Sequence, residues 1–153
     1  MNYWLMKSEP STFSIDHLAA AAKRTTGWDG VRNFQARNYL REMRKGDLAF
    51  FYHSSCDVPG IAGIVKVVRE GYPDPSAFNP KDDHYDTDST PDNPRWYAVD
   101  VKLEQKFAHV VTLEELRAHQ TGKLKNMIVL KRGNRLSITP VTKSEFEFTS
   151  SLV

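Results

Sequence analysis

Two apolar runs separated by a Pro-Gly pair constrain this chain more than any other feature. Asp47 to Ser54 contains Leu48-Ala-Phe-Phe-Tyr52, and Ile61 to Val68 is rich in Ile and Val, with Pro59-Gly60 between them. Runs of this length, enriched in β-branched and aromatic residues and bounded by turn formers, read as strands, here joined as a hairpin with a longer loop. A third strand is predicted from Trp96, with Tyr97, Val99, Val101 and Leu103 on one face and Trp96, Ala98, Asp100 and Lys102 on the other. Tyr3 to Lys7 reads as a short opening strand, stopped by Ser8-Glu9-Pro10.

Helical signals lie between and after these strands. Ser14 is a candidate N-cap for a helix that places Ile15, Leu18, Ala19 and Ala22 on one face. After the Gly27-Trp28-Asp29-Gly30 turn, Asn33 is a candidate N-cap for a second helix, which buries Ala36, Tyr39, Leu40 and Met43 and stops at Gly46. Its other side carries a basic stripe, Arg37, Arg41, Arg44 and Lys45. Thr112-Leu-Glu-Glu115 and Thr142-Lys-Ser-Glu145 both have capping-box form and predict two further helices, with Val141 and Phe146 as a hydrophobic staple on the second. Met127 to Leu130 and Leu136 to Ile138 read as a short strand or turns around a basic corner at Lys131-Arg132-Gly133. The irregular mixture of helices and strands predicts an α+β fold with a mostly antiparallel, barrel-like sheet.

The Pro- and Asp-rich stretch from Tyr72 to Pro94 reads as one long loop. A loop of that length in a compact domain is either functional or disordered. With 153 residues, 40% of them apolar and 26% charged, the chain is expected to form one domain over residues 1–153. It contains no apolar stretch near the roughly 20 residues that cross a bilayer and no signal-peptide pattern, which predicts a cytoplasmic or nuclear location. The one cysteine, Cys56, excludes an intrachain disulfide.

Catalytic and metal-binding signatures are missing. The five histidines form no metal-ligand pair, and the Asp82 to Asp88 run lacks the Gly and terminal Glu of a calcium loop. No nucleophile elbow, phosphate loop or dinucleotide fingerprint occurs. The expectation is a binding module, with no catalytic residues, metal or cofactor. Polar and aromatic side chains gather instead at element ends: Lys7, Ser8, Glu9, Trp28, Arg32, Asn33, Tyr52, His53, Ser54, Asn93, Arg95 and Trp96. Trp28 sits in a Gly-flanked turn, where a ligand contact competes with core packing. Trp96 and Tyr52 lie at strand ends, where packing is the alternative to stacking on a ligand. Aromatic faces stack on nucleobases for about 1–3 kcal/mol each, and amides, hydroxyls and carboxylates read base edges. Two basic clusters, Arg32 to Lys45 and Lys123 to Arg135, either meet phosphates or form solvated faces; the net charge of +2 does not decide between them.

Several strings together resemble the EVE domain: Tyr3-Trp-Leu-Met-Lys-Ser-Glu-Pro10, Trp28-Asp-Gly-Val-Arg-Asn33 with Gln35-Ala-Arg-Asn38, Gly46-Asp47, Phe51-Tyr-His-Ser54, Tyr72-Pro-Asp-Pro75, Asn93-Pro-Arg-Trp96 with Val99-Asp-Val101, and Arg135-Leu136 with Pro140-Val141. The resemblance spans nearly the whole chain. It implies a PUA-like fold, a twisted, mostly antiparallel β-barrel with surrounding helices, related to the YTH domains that bind methylated adenine in RNA. It also implies recognition of a modified base, modified cytosine in DNA above all, flipped into an aromatic cage. Carried onto this chain, Trp28 is a cage wall, Ser8, Glu9 and Asn33 meet the base edge, and Tyr52, His53, Ser54 and Trp96 complete the pocket. Arg32 and Arg37 are the phosphate contacts, with Arg41, Lys131 and Arg132 as further cations. The expected partner is nucleic acid bearing a modified base, bound by a monomer, with no membrane. An RNA-binding module for tRNA, rRNA or modified RNA, a small-molecule or nucleotide sensor, and a protein-interaction module are the alternatives.

Overall fold

The computed structural model describes residues 1–153. Its strands are β1 (Tyr3–Ser8), β2 (Thr25–Trp28), β3 (Leu48–His53), β4 (Gly60–Pro73), β5 (Tyr97–Thr112) and β6 (Ile138–Val141). They form one sheet in the order β2-β5-β4-β3-β1-β6. All neighbours are antiparallel except β1 and β3, which run parallel with Leu5 opposite Phe50. The expected hairpin is β3 and β4, with Leu48 opposite Lys66 and His53 opposite Gly60.

Strand geometry sends successive side chains to opposite faces, and here both faces of the central strands are covered. Trp4, Met6, Ala49 and Phe51 enter one core cluster, whereas Leu5, Phe50 and Tyr52 enter the other. This is why Leu48-Ala-Phe-Phe-Tyr52 is continuously apolar instead of alternating. Full burial of Phe50 and Phe51 contributes about 1.5–3 kcal/mol apiece. All six strands contribute to the first cluster, so the sheet curls around it. The second cluster is covered by α3 (Leu113–Arg117), a 3-10 turn (Ile128–Leu130) and α4 (Lys143–Ser150), through Leu116, Leu124, Met127 and Phe146.

The helix signals hold at their starts. In α1 (Ile15–Ala20), Ser14 Oγ accepts from the His17 N–H while His17 Nδ1 accepts from the Ser14 N–H, a reciprocal cap. This helix is shorter than the pattern suggests, because Lys23 and Arg24 adopt left-handed φ of 55° and 53° just beyond it. Ala19 and Ala22 are therefore exposed, and only Ile15 and Leu18 reach the core. In α2 (Phe34–Glu42), the Asn33 side chain accepts from the Ala36 N–H at 3.0 Å. Both Thr-x-x-Glu boxes open their helices, and Val141 and Phe146 share the second cluster.

Two strands run further than hydropathy indicates. β5 starts one residue after Trp96 and continues through Glu104-Gln-Lys106, while β4 runs through Arg69-Glu-Gly71. Four register shifts between β4 and β5 bend this long ribbon around the core. The 74–96 loop is folded: Asp74, Ser76, Ala77, Ser89 and Trp96 are buried in it, and the Trp96 indole N–H donates to Asp86 at 2.6 Å. Of the two segments around the basic corner, Ile128–Leu130 is a 3-10 turn and the second leads into the edge strand β6.

Candidate functional site

The curled sheet does not close, because its outer strands β2 and β6 do not pair. A cavity of about 700 Å3 occupies the gap, with Thr26 to Trp28 of β2 on one side and Ser137, next to β6, on the other. Lys7 and Ser8 at the end of β1, then Glu9, Thr12 and Phe13, form its floor, and Asp29 to Arg32 with Asp83 and His84 complete the wall. The volume is that of an ordinary small-ligand pocket.

Trp28 is 8% exposed and packs edge-on against Phe51, with ring centroids 5.5 Å apart. Trp4 and Trp96 donate their indole N–H groups to Asp47 and Asp86, but the Trp28 N–H makes no hydrogen bond within the protein. It is thus an anchored wall with a donor to spare. Gly30, at φ +76°, is required beside it: a Cβ there would lie 2.9 Å from the His84 ring. The absent side chain lets His84 close down on the turn.

Charge in the cavity is distributed unevenly. Low-dielectric surroundings above all, then the charges of Asp74 and Asp82, push the Asp29 carboxyl above its ordinary range, although the residue as a whole is exposed. Desolvation lowers the pKa of Lys7, whose ammonium lies over the Tyr52 ring, 6.0 Å from its centroid, on the other face of the sheet. Ser8 Oγ donates to the Phe13 carbonyl at 2.6 Å, which leaves its lone pairs as acceptors. Acceptors and donors therefore converge within one aromatic-walled space.

Arg32 plays a different part from the phosphate contact expected of it. Its Nε and Nη2 donate to the His84 carbonyl at 3.1 and 2.7 Å, Nη2 also to Ser76 Oγ, and Nη1 to the Val31 carbonyl and to Asp74 at 2.9 Å. A guanidinium has five N–H donors, and all five are used. Arg32 is a strut that ties the Trp28 turn to the 74–84 loop. Fully buried Asp74 receives it together with the Gly30 N–H, the Ser76 N–H and the Ser76 hydroxyl. Burial raises the Asp74 carboxyl, but the hydrogen bonds from Ser76, Arg32 and Gly30 outweigh it and hold the pKa below the usual value.

Of the residues expected to form the pocket, the cavity takes in Ser8, Glu9 and Trp28 and leaves out Asn33, Tyr52, His53, Ser54 and Trp96. The Asn33 carbonyl oxygen is used as a helix cap. Tyr52 is buried in the second cluster, on the other face of the sheet. His53 Nε2 accepts from the Ile15 N–H at 3.1 Å and its ring packs edge-on against Phe51, so it holds the start of α1. Desolvation lowers its pKa, in keeping with a neutral, accepting ring. The Ser54 backbone N–H donates to the Ser8 carbonyl, and buried Trp96 stacks on Phe34. These residues support the site from behind. Arg37 keeps some donors free after binding the Arg95 carbonyl and Asn38, and Arg41 lies over the Tyr97 ring, 4.8 Å from its centroid. Lys131 and Arg132 are exposed around Gly133.

Sequence reasoning overlooked Asp29, Phe13, Thr26, His84 and Ser137 as lining residues. Asp29 was within reach, because it lies between Trp28 and Gly30 in the same turn; the distant positions carry no local signal. A wider cleft of about 910 Å3 lies at the opposite end of β1, lined by Tyr3, Trp4, Glu42, Arg44, Pro140 to Lys143 and the first two residues. Its indole N–H and the backbone N–H groups of Asn2 and Arg44 already converge on Asp47, so those groups are spent within the protein. No group of three or more His, Cys, Asp or Glu side chains is placed to hold a metal ion, and no helix is long and apolar enough to cross a membrane.

Known proteins share both the sequence and this architecture. Human thymocyte nuclear protein 1 is 49% identical over 166 residues, covering 99% of this chain and 73% of its own length. The crystal structure of human THYN1 protein in complex with 5-methylcytosine containing DNA superposes with a TM-score of 0.94 at 48% identity, covering 99% of this chain and 97% of that one. A Pseudomonas putida protein of 47% identity superposes with a TM-score of 0.92, covering 98% of each chain. The α+β, PUA-like fold expected from the resemblance is thus the fold observed. The EVE domain family model matches residues 2–152, across every strand and helix that frames the cavity, and the chain belongs to the EVE domain family.

Proposed function

We propose that residues 1–153 form one EVE domain that reads modified cytosine in DNA, holding the base extruded from the helix in the cavity beside Trp28. The observation that carries this reading is the solved complex of the human THYN1 protein with 5-methylcytosine containing DNA, whose fold this chain shares at 48% identity. The chemistry of the cavity supports it. Cytosine presents an amino donor beside ring-nitrogen and carbonyl acceptors; Asp29 and Glu9 supply acceptors, and the free Trp28 N–H supplies a donor. Trp28 and Phe13 provide apolar surface for the base and its methyl group. No catalytic step is proposed: the chain binds and does not convert. It acts wherever such DNA is kept, the nucleus in eukaryotes, as the names of the animal relatives indicate.

Magnitudes set the expected behaviour. A buried methyl group is worth about 0.8 kcal/mol, roughly fourfold in affinity. Extrusion costs a few kcal/mol, comparable to one good stack, so unpaired or mismatched sites bind better than intact duplex. Fluorescence anisotropy on matched single strands, mismatched duplexes and intact duplexes, with cytosine or 5-methylcytosine, tests the reading. The informative variant is Trp28→Phe, because Trp28→Ala would empty a core position at a cost of about 3–5 kcal/mol. Wild type should favour the methylated DNA, and Trp28→Phe should reduce both affinity and preference. Equal affinity for methylated and unmethylated DNA refutes the proposal, and tighter binding to a matched RNA moves it to RNA.

A further inference from the structure

We propose that Phe34 is a stacking platform for the nucleobase adjacent to the one held in the cavity; this rests on the cavity being a base site. Of the 17 aromatic residues, only Phe34 and Tyr85 are exposed. Tyr85 follows directly on one segment of the cavity wall, residues 83–84, and Phe34 comes two residues after another, residues 28–32. Charge separates the two. Tyr85 stands among Asp82, Asp83, Asp86 and Asp88, an environment that repels a phosphate backbone. Phe34 opens α2, which carries Arg37 and Arg41, with Arg44 and Lys45 just beyond its end.

A lone exposed Phe is unremarkable on most surfaces. Phe34 differs in being held. One face lies on Trp96, with centroids 4.9 Å apart and planes 24° from parallel, and Trp96 is itself fixed by its bond to Asp86 and by Arg32, 5.3 Å from its ring. The Arg37 guanidinium lies 5.0 Å from the Phe34 centroid, with three of its bonds made to the Arg95 carbonyl and Asn38 and two of its five N–H groups left over. With both neighbours in place, the Phe34 residue still keeps 54% of its surface exposed. A rigid, half-open aromatic ring beside an uncommitted cation offers a base a face and the following phosphate a counter-charge, two contacts of single-strand recognition. The ring and the cavity are linked through Arg32, which lines the cavity and lies over Trp96, the ring on which Phe34 stacks.

The test compares single-stranded DNA carrying 5-methylcytosine between ordinary nucleotides with the same strand whose two neighbours of the modified base are abasic. Proteins are wild type, Phe34→Ala, Phe34→Trp and Tyr85→Ala, each checked by thermal melting; Phe34 is exposed enough that its removal leaves the core intact. Phe34→Ala should weaken binding about five- to tenfold on ordinary DNA, the low end of a base stack, and Phe34→Trp should restore it. Abasic neighbours should lower wild type to the level of Phe34→Ala and leave that variant unchanged, while Tyr85→Ala behaves as wild type. Affinity of Phe34→Ala within twofold of wild type, with methyl preference retained, overturns the platform alone. So does an equal loss on both DNAs. Wild type without any methyl preference overturns the cavity reading and with it the position assigned to Phe34.

Discussion

Replacing Arg32 by Met keeps an unbranched apolar stem and removes the charge and all five hydrogen bonds, which makes it the sharpest test of the strut. The variant leaves Asp74 fully buried with three of its partners, the Gly30 N–H and the two Ser76 donors, but without its counter-charge. Breaking a buried ion pair from one side costs about 3–5 kcal/mol. Arg32 retains 22% side-chain exposure, which lets water replace part of the loss, so about 3–4 kcal/mol is expected. For a chain of this size that is a fall in Tm of roughly 6–16 °C. The deficit depends on pH with a definite sign. The native Asp74 pKa lies below the ordinary 3.8, so its stabilising contribution is complete above that value and is lost as pH falls through the native one. The gap between wild type and Arg32→Met should therefore narrow in acid. DNA binding supplies the contrary test. A residue that neutralises a phosphate lowers the slope of log K against log salt by about 0.9 when removed. A strut weakens binding with the slope unchanged, because the cavity wall loosens while the phosphate contacts stay. A Tm within 2 °C of wild type combined with a slope reduced by about 0.9 would show that the guanidinium serves the backbone after all.

Three further substitutions, one of them with a control at Gly133, probe the frame and the cavity. Asp47→Ala removes a buried acceptor of the Asn2, Arg44 and Trp4 N–H groups, and stranding the Trp4 indole N–H should cost about 3 kcal/mol by denaturant melting, with DNA binding by the folded protein unaffected at the far end of β1; a cost below about 1 kcal/mol contradicts this. Gly30→Ala should destabilise by about 1–2 kcal/mol for its left-handed backbone and further for the contact with the His84 ring, and should weaken DNA binding. Gly133→Ala, at a similar φ but in open space, isolates the first contribution, and equal losses at both sites would remove His84 from the argument. Asp29→Asn should raise Tm at pH 7 and not at pH 3: a native pKa raised above 3.8 means that stability falls as pH climbs from 3.8 through the native value, a loss that Asn does not suffer. Equal shifts at both pH values would show that the carboxyl is not set against its surroundings.

What could be read from the sequence divides by the range of the interaction that decides it. Leu48–His53 and the first half of β4 are visible because both faces of each strand are buried, and the caps are visible because each is completed within four residues. Glu104-Gln-Lys106 and Arg69-Glu-Gly71 belong to strands only because β4 and β5 pair across register shifts, and their outward side chains carry no strand pattern. The site follows the same division. Trp28 is legible from a Gly-flanked turn, but the partner that turns Arg32 from a phosphate contact into a strut lies 42 residues away in Asp74. Elementary geometry already excludes part of the expected pocket. Tyr52 and His53 are consecutive in a strand, so their side chains leave opposite faces of the sheet and cannot both line one cavity. The structure sends Tyr52 to the second core cluster and His53 to the start of α1. Ser8, Glu9 and Trp28 escape that division because Glu9 lies past the end of β1 and Trp28 at the last residue of β2, where the chain leaves the sheet and neighbouring side chains no longer alternate. A motif that straddles a strand end therefore marks a rim, and the same motif within a strand must first be split by parity.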